Sequence, residues 1–303
     1  QSHTLPMVAD NLAQEAWHHL HQLELSAAEQ TADECMALCT QIHNGWNLCL
    51  AWQIKGQVAA CHGEWSLALH CYETALGHGQ QAGFVIGEVV TPLLLGELLR
   101  WMGETVRAQK LHYGAYIVAV KKAPFLQHAA HAQLAIHAYQ RNEIKSGDQW
   151  LASALESQPH GAIGRAWCVL ADLPRAVVQQ AQVKGTWTEA LPVIETALEE
   201  ASARQLPLYR PQLLLAQGTA LTALGQHAEA EAVFQEALAI ATAAMLRPIR
   251  WQLYGALGHL YQLQQRTEEQ QQMAHLARQE GELLGPSFSS PVSAQPRSPQ
   301  EKT

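Results

Sequence analysis

The marks of an enzyme or a membrane protein are missing from this sequence. It has no GxxxxGK[ST] loop to cradle a phosphate, no HExxH helix and no GxSxG elbow. No two of its six cysteines stand as CxxC. No apolar run approaches the roughly 20 residues needed to span a bilayer. The opening, QSHTLPMVADNL, lacks a basic stretch followed by an apolar one, so it does not read as a signal peptide. It also lacks a starting Met, so the chain is expected to be a piece of a longer protein. Basic residues are scarce: 19 against 27 acidic, for a net charge of -8. That balance argues against a nucleic-acid footprint. These absences predict no catalytic activity, no cofactor, no direct nucleic-acid partner and no membrane.

What is present is a sequence that is 48% apolar, over 303 residues. A single globule of this length would split into about two domains, but a repeat array escapes that rule because each unit touches only its neighbours. The cysteines, Cys35, Cys39, Cys49, Cys61, Cys71 and Cys168, are too sparse for a disulfide scaffold. They read as reduced thiols of a cytoplasmic protein, small enough for close helix packing.

The stretch Leu214–Ala237 sets the pattern. It reads as two short helices hinged at Gly225, with Gly218, Ala230 and Ala237 where helices touch and Leu214, Leu221 and Phe234 filling between. Two helices cross closely only where side chains are small. In a repeat numbered so that Gly218 is position 8, the same figure recurs. Gly56 to Gly96 is 40 residues, and so is Gly218 to Gly258. Trp52, Gly63, Ala68, Tyr72 and Ala75 fill the slots of a second pair, and Gly103, Ala108 and Ala115 those of a third, whose first helix Pro92 is expected to open. Ala135, Tyr139, Ala152 and Leu155 are assigned to a fourth, Gly185, Ala190 and Ala197 to a fifth, and Gly258, Tyr261 and Ala277 to a seventh. The fifth is displaced by two residues, attributed to a longer loop around residues 158–164. The first pair, a helix over 8–22 and a second capped by Ser26 with Glu29, fits the pattern only loosely. From Gly285 the run GPSFSSPVSAQPRSPQEKT has too few apolar residues to form a core. Residues 285–303 are therefore expected to be a disordered tail, and 1–284 one repeat domain.

Over roughly residues 8–280 this pattern resembles the tetratricopeptide repeat family. It departs in two ways: the period is 40 rather than about 34, and the usual Pro at position 32 is Thr242 in the sixth unit. The longer period is similar to the MalT-like subtype, the repeat arrays attached to bacterial signalling ATPases and regulators. The fold implied is an all-α solenoid of about seven antiparallel helix pairs, right-handed by resemblance.

Histidines and tryptophans supply rival readings. His128 and His131 share a helix face with spacing that suits a metal, with His137 on the same helix, but they read as exposed polar residues. Cys35, Cys39 and His43 form a stripe better explained by packing on the first helix. Trp65 and Trp187 recur at one slot and so read as packing residues, whereas Trp101 falls where a groove is expected.

The resemblance implies that the first helices of the pairs line a binding face. Carried over position by position, that face holds Gln53, Gln57, Glu97, Arg100, Trp101, Gln133, His137, Arg141, Arg175, Gln179, Gln212, Thr219, Gln252 and His259. Amides both donate and accept, which suits the backbone of an extended peptide, and arginine grips carboxylates at two points. The function implied is a non-catalytic scaffold for a protein or peptide partner, with Arg100, Arg141 and Arg175 drawing an acidic segment. The alternative is a ligand-sensing or autoinhibitory repeat domain that serves other domains of a longer parent chain.

Overall fold

The computed structural model describes residues 4–158, 171–285 and 288. Among these, fourteen α-helices follow one another with no strand. The inner helices are α1 (Leu5–His21), α3 (Gly45–His62), α5 (Val85–Trp101), α7 (Gln127–Gln140), α9 (Asp172–Lys184), α11 (Arg210–Ala223) and α13 (Arg247–Leu263). The outer helices are α2 (Leu25–Ile42), α4 (Trp65–Ala82), α6 (Thr105–Lys122), α8 (Ile144–Glu156), α10 (Trp187–Ala203), α12 (His227–Ala243) and α14 (Thr267–Leu284). Within a pair the two helices pack together, and most outer helices also touch the next inner one. The fold class is the expected one, an all-α helical repeat of the solenoid kind. Chain contacts divide it into two compact units, Gln1–His131 with Glu156–Cys168, and Ala132–Leu155 with Val169–Thr303. No described helix is long and apolar enough to cross a membrane.

The repeat is written in the backbone more regularly than in the side chains. Position 15 has a positive φ in all seven pairs: Leu23, Gly63, Gly103, Asn142, Gly185, Gly225 and Gln265. Position 35 does the same at His43, Gly83, Gln205 and Met245. A left-handed residue at these points lets the following N–H reach back to the helix's last turn, as Glu64 N does to Ala59 O at 2.9 Å and Gln226 N to Leu221 O at 2.9 Å. Most of these helices therefore end where a left-handed residue turns the chain, whatever side chain that residue bears.

By the same numbering the first pair is in register, not loose: Ala16, Leu23, Ala28 and Cys35 occupy positions 8, 15, 20 and 27. Ala16, Ala28 and Cys35 are buried. Ser26 is not a cap, because α2 starts at Leu25 behind Glu24. Pro92 does not open a helix; it sits inside α5, where Val89 and Leu93 are buried around it and hold the helix through the lost N–H. In the fourth pair Ala152 and Leu155 face solvent. Gly147, Leu151 and Ala154 do the packing instead, with the ring of Tyr139 lying over Gly147. The longer loop assigned around residues 158–164 lies, apart from residue 158, outside the described residues.

At position 8 three of the four glycines, Gly56, Gly96 and Gly218, have a clear steric reason. A Cβ on Gly56 would stand 2.6 Å from the Tyr72 ring, and one on Gly218 would come closer than 3.0 Å to three atoms of Phe234. At Gly96 the occupant of the opposing slot is His112, fully buried, with Nε2 3.1 Å from the Leu93 carbonyl. Burying each such ring is worth about 1.5–3 kcal/mol, and stacking supplies several per interface.

Candidate functional site

The inner helices divide the expected binding residues into two kinds. Some are consumed in holding neighbouring inner helices together. Gln53 is buried and its amide donates to the Thr91 hydroxyl, linking α3 to α5. Gln133 is buried and donates to Asp172 at 2.9 Å, linking α7 to α9. His137 is buried as well. A similar link joins α1 to α3, where Asn47 donates to Asp10 at 2.6 Å. These three predicted site residues are therefore packing elements. The reason is depth: a polar group in the seam between two helices must find a partner inside the protein.

The second kind keeps an accessible surface. At position 9, one half-buried polar residue recurs in most repeats: Gln57 and Glu97 in the first unit, then Gln179, Thr219 and His259 in the second. Steps of 40 residues separate Gln57 from Glu97, Gln179 from Thr219 and Thr219 from His259. In the second unit α9 touches α11 and α11 touches α13, so the last three residues stand on neighbouring helices. Gln212 and Gln252, at position 2 of α11 and α13, are also half-buried. The local partners are short-range: Gln179 donates to Gln182 at 2.9 Å, and the Thr219 hydroxyl to Leu215 O at 2.7 Å. Burial lowers the His259 pKa, so this imidazole stays neutral near pH 7.

The three arginines do not form an open cationic site. Arg100 grips Glu97 at two points, with Nη2 to Oε1 at 2.7 Å and Nε to Oε2 at 3.1 Å. Arg141 is exposed at the turn after α7 and grips Glu143 at 2.8 Å. Arg175 lies 3.8 Å from the buried Asp172. Each positive charge thus faces a carboxylate, and the expected pull on an acidic segment is offset within each unit. Glu97 also accepts from the Trp101 indole at 2.8 Å, and Trp101 stacks on Trp65 at 6.2 Å. This end of α5 is a closed polar–aromatic cluster.

The other sequence-level candidates resolve as packing. Cys35 and Cys39 are buried, and the Cys35 thiol donates to Ala9 O on α1 at 3.6 Å. Burial pushes the Cys35 thiol up to about 12, aided by the neighbouring Cys39. His128, His131 and His137 are not exposed, as expected from the sequence, but buried. His131 Nδ1 meets Ser157 at 3.0 Å and its ring lies 5.3 Å from Tyr116. Desolvation lowers His128 to about 4. Among the described residues no group of histidine, cysteine or carboxylate side chains could hold a metal. Phe288, inside the predicted tail, is buried with its ring 5.3 Å from Trp251, edge to face. Its carbonyl lies against Gly281 on α14.

No protein-family model matches the sequence, and no curated protein is significantly similar to it. Solved structures are similar in fold. The apo form of RapI superposes with a TM-score of 0.57 at 11% identity, covering 90% of this chain and 97% of RapI. A Rap protein complexed with competence and sporulation factor gives 0.54 at 12% identity, covering 92% and 98%. A tetratricopeptide repeat protein from Parabacteroides merdae ATCC 43184 gives 0.47 at 16%, covering 91% and 95%. At such identities the likeness to the two Rap structures is one of fold, and it agrees with the array of antiparallel helix pairs described above.

Proposed function

We propose that the chain is a non-catalytic scaffold that holds a protein or peptide segment along the inner helices of its second unit. One observation carries this reading: the half-buried row of Gln179, Thr219 and His259 on adjacent helices, flanked by Gln212 and Gln252. Polar groups deep in the inner face are consumed by inter-helix bonds, whereas these keep surface and can both donate and accept. A row of that kind matches the backbone of an extended segment, with one contact per repeat. A structural neighbour crystallised with competence and sporulation factor supports a factor-binding role for an array of this length. The 40-residue period supports a second reading, the MalT-like one, in which the bound segment belongs to another domain of a longer signalling ATPase or regulator.

Photo-crosslinking tests the proposal. Benzoylphenylalanine placed at position 219 or 259 is expected to give one discrete adduct. The yield should fall when Gln212 and Gln252 are both changed to Ala. The same probe at Glu195, exposed on outer helix α10, should give none. Equal labelling from position 195, or an adduct insensitive to the glutamines, would refute binding on the inner face. An adduct within the same polypeptide of a longer chain would select the second reading.

A further inference from the structure

The chain leaves the array at a defined point. Gly281 on α14 holds repeat position 31, as Gly79 does on α4. A Cβ on Gly79 would meet backbone atoms of Gly87, in the first turn of the next inner helix α5, at 3.6 and 3.7 Å. A Cβ on Gly281 would instead run into the Phe288 carbonyl. Phe288 therefore stands where the first turn of a further inner helix would stand, with its ring on Trp251 at the start of α13. Residues 289–303 set out from there, beside Gln252 and at the α13 end of the row Gln179, Thr219 and His259.

We propose that the inner face of the second unit has an occupant in the chain itself: residues 289–303 cross it as a polyproline helix, which a partner must displace. The assignment holds only if that face is a segment-binding surface. Pitch favours this conformation. Packed helices stand about 8–10 Å apart. A polyproline helix makes one turn in three residues at about 3.1 Å each, so one of its faces returns every ~9 Å and meets each inner helix alike. A β-strand returns to the same face about every 6.7 Å and falls out of step. Pro291, Pro296 and Pro299 favour the polyproline form. Length suffices as well. From α13 to α9 is two helix spacings, about 20 Å, whereas the 15 residues 289–303 reach about 46 Å in this form. The chemistry also agrees. At positions 2, 5 and 9 of α9, α11 and α13 only Asp172 and Arg175 are charged, and they face each other at 3.8 Å. Residues 289–303 are mostly uncharged, with Arg297, Glu301 and Lys302 the exceptions. A polyproline helix has no internal hydrogen bonds, which leaves its backbone groups for Gln179, Gln212, Thr219 and Gln252. The tether supplies the rest. It holds the segment at an effective concentration on the order of 1 mM, so a tail with a Kd of about 100 μM fills about nine sites in ten.

Fluorescence anisotropy with a labelled peptide SSPVSAQPRSPQEKT, the sequence of residues 289–303, tests the occupant on two forms of the protein. One is the full chain and the other ends after Phe288. The shortened form keeps the Phe288 anchor, and circular dichroism with a Tm measurement checks its fold. It is expected to bind the peptide, and the full chain about tenfold more weakly, because its own tail competes. Gln212→Ala with Gln252→Ala in the shortened form should weaken the peptide, as should Gly in place of its three prolines. In the purified full chain, benzoylphenylalanine at position 219 or 259 should label residues 289–303 of the same molecule. Equal peptide affinity for the two forms, or an unlabelled tail, overturns the proposal. A shortened form that captures an external segment at position 219 but not the peptide removes the tail as occupant and leaves the scaffold reading standing. Capture of neither overturns both.

Discussion

Gly218 and Gly258 hold the same repeat position, yet Ala should act on them with opposite sign. A Cβ on Gly218 would come closer than 3.0 Å to three atoms of Phe234, a ring only 1% exposed. That ring has no free space to enter, so Gly218→Ala forces the pair of helices apart or the ring off its rotamer, at about 1–3 kcal/mol. The gain from replacing a mid-helix Gly offsets up to about 1 kcal/mol of this. At Gly258 the nearest atom to a new Cβ is Met273 Cβ at 3.5 Å, an ordinary contact. Gly258→Ala therefore keeps only the helix gain and should stabilise by about 0.5–1 kcal/mol. Urea unfolding of both variants, with hydrogen exchange to localise the effect, measures the contrast. A third variant isolates the cause: in a Phe234→Leu background Gly218→Ala should lose its penalty, a coupling of about 1–2 kcal/mol. If the two glycines respond alike, or if Gly218→Ala and Phe234→Leu simply add, the close contact is not what glycine is there to allow.

Three other perturbations follow from the packing. Removing residues 286–303, or changing Phe288 to Ala, should lower Tm by several degrees, since Phe288 covers Trp251 and Gly281; calorimetry on both forms checks it. His128 should make the fold acid-sensitive. Its folded pKa of about 4 lies below the usual 6.5, so between these values the unfolded chain binds the extra proton and stability falls as pH drops, by up to about 3 kcal/mol. His128→Gln should flatten that slope in urea titrations at pH 4–7. Finally, Gln53→Leu leaves the buried Thr91 hydroxyl without its amide donor and should cost about 1–3 kcal/mol, whereas Gln57→Ala should stay within about 0.5 kcal/mol by the same assay.

Fold and period were legible because small residues at position 8 and the turn glycines repeat as letters. Gly56, Gly96, Gly218 and Gly258 announce the array, and the aromatic partners of two of them, Tyr72 and Phe234, follow in phase. The first pair was harder to read because its position-15 residue is Leu23, a left-handed residue without a glycine's signature. The fourth pair misled because ring and glycine change places, Tyr139 on the inner helix and Gly147 on the outer. His112 carried a readable signal that was missed. It stands 16 residues after Gly96, as Tyr72 does after Gly56, which marks it as a buried ring despite its polarity.

The candidate site was less legible because a glutamine has the same letter wherever it points. Gln53 and Gln57 are one helical turn apart, a rotation of about 40°. That rotation turns Gln53 into the seam with α5 and leaves Gln57 half-buried at its edge. The deciding factor is what the next inner helix offers. Thr91 on α5 and Asp172 on α9 are acceptors at positions 3 and 2, and each draws the preceding glutamine inward. In the second unit the inner helices after α9 carry buried Leu213 and Leu253 at position 3, where α5 carries Thr91. The polar groups of α11 and α13 stay at the accessible edge, as Gln212, Thr219, Gln252 and His259 do. The two kinds share one face: α3 carries Gln53 in the seam and Gln57 at its edge.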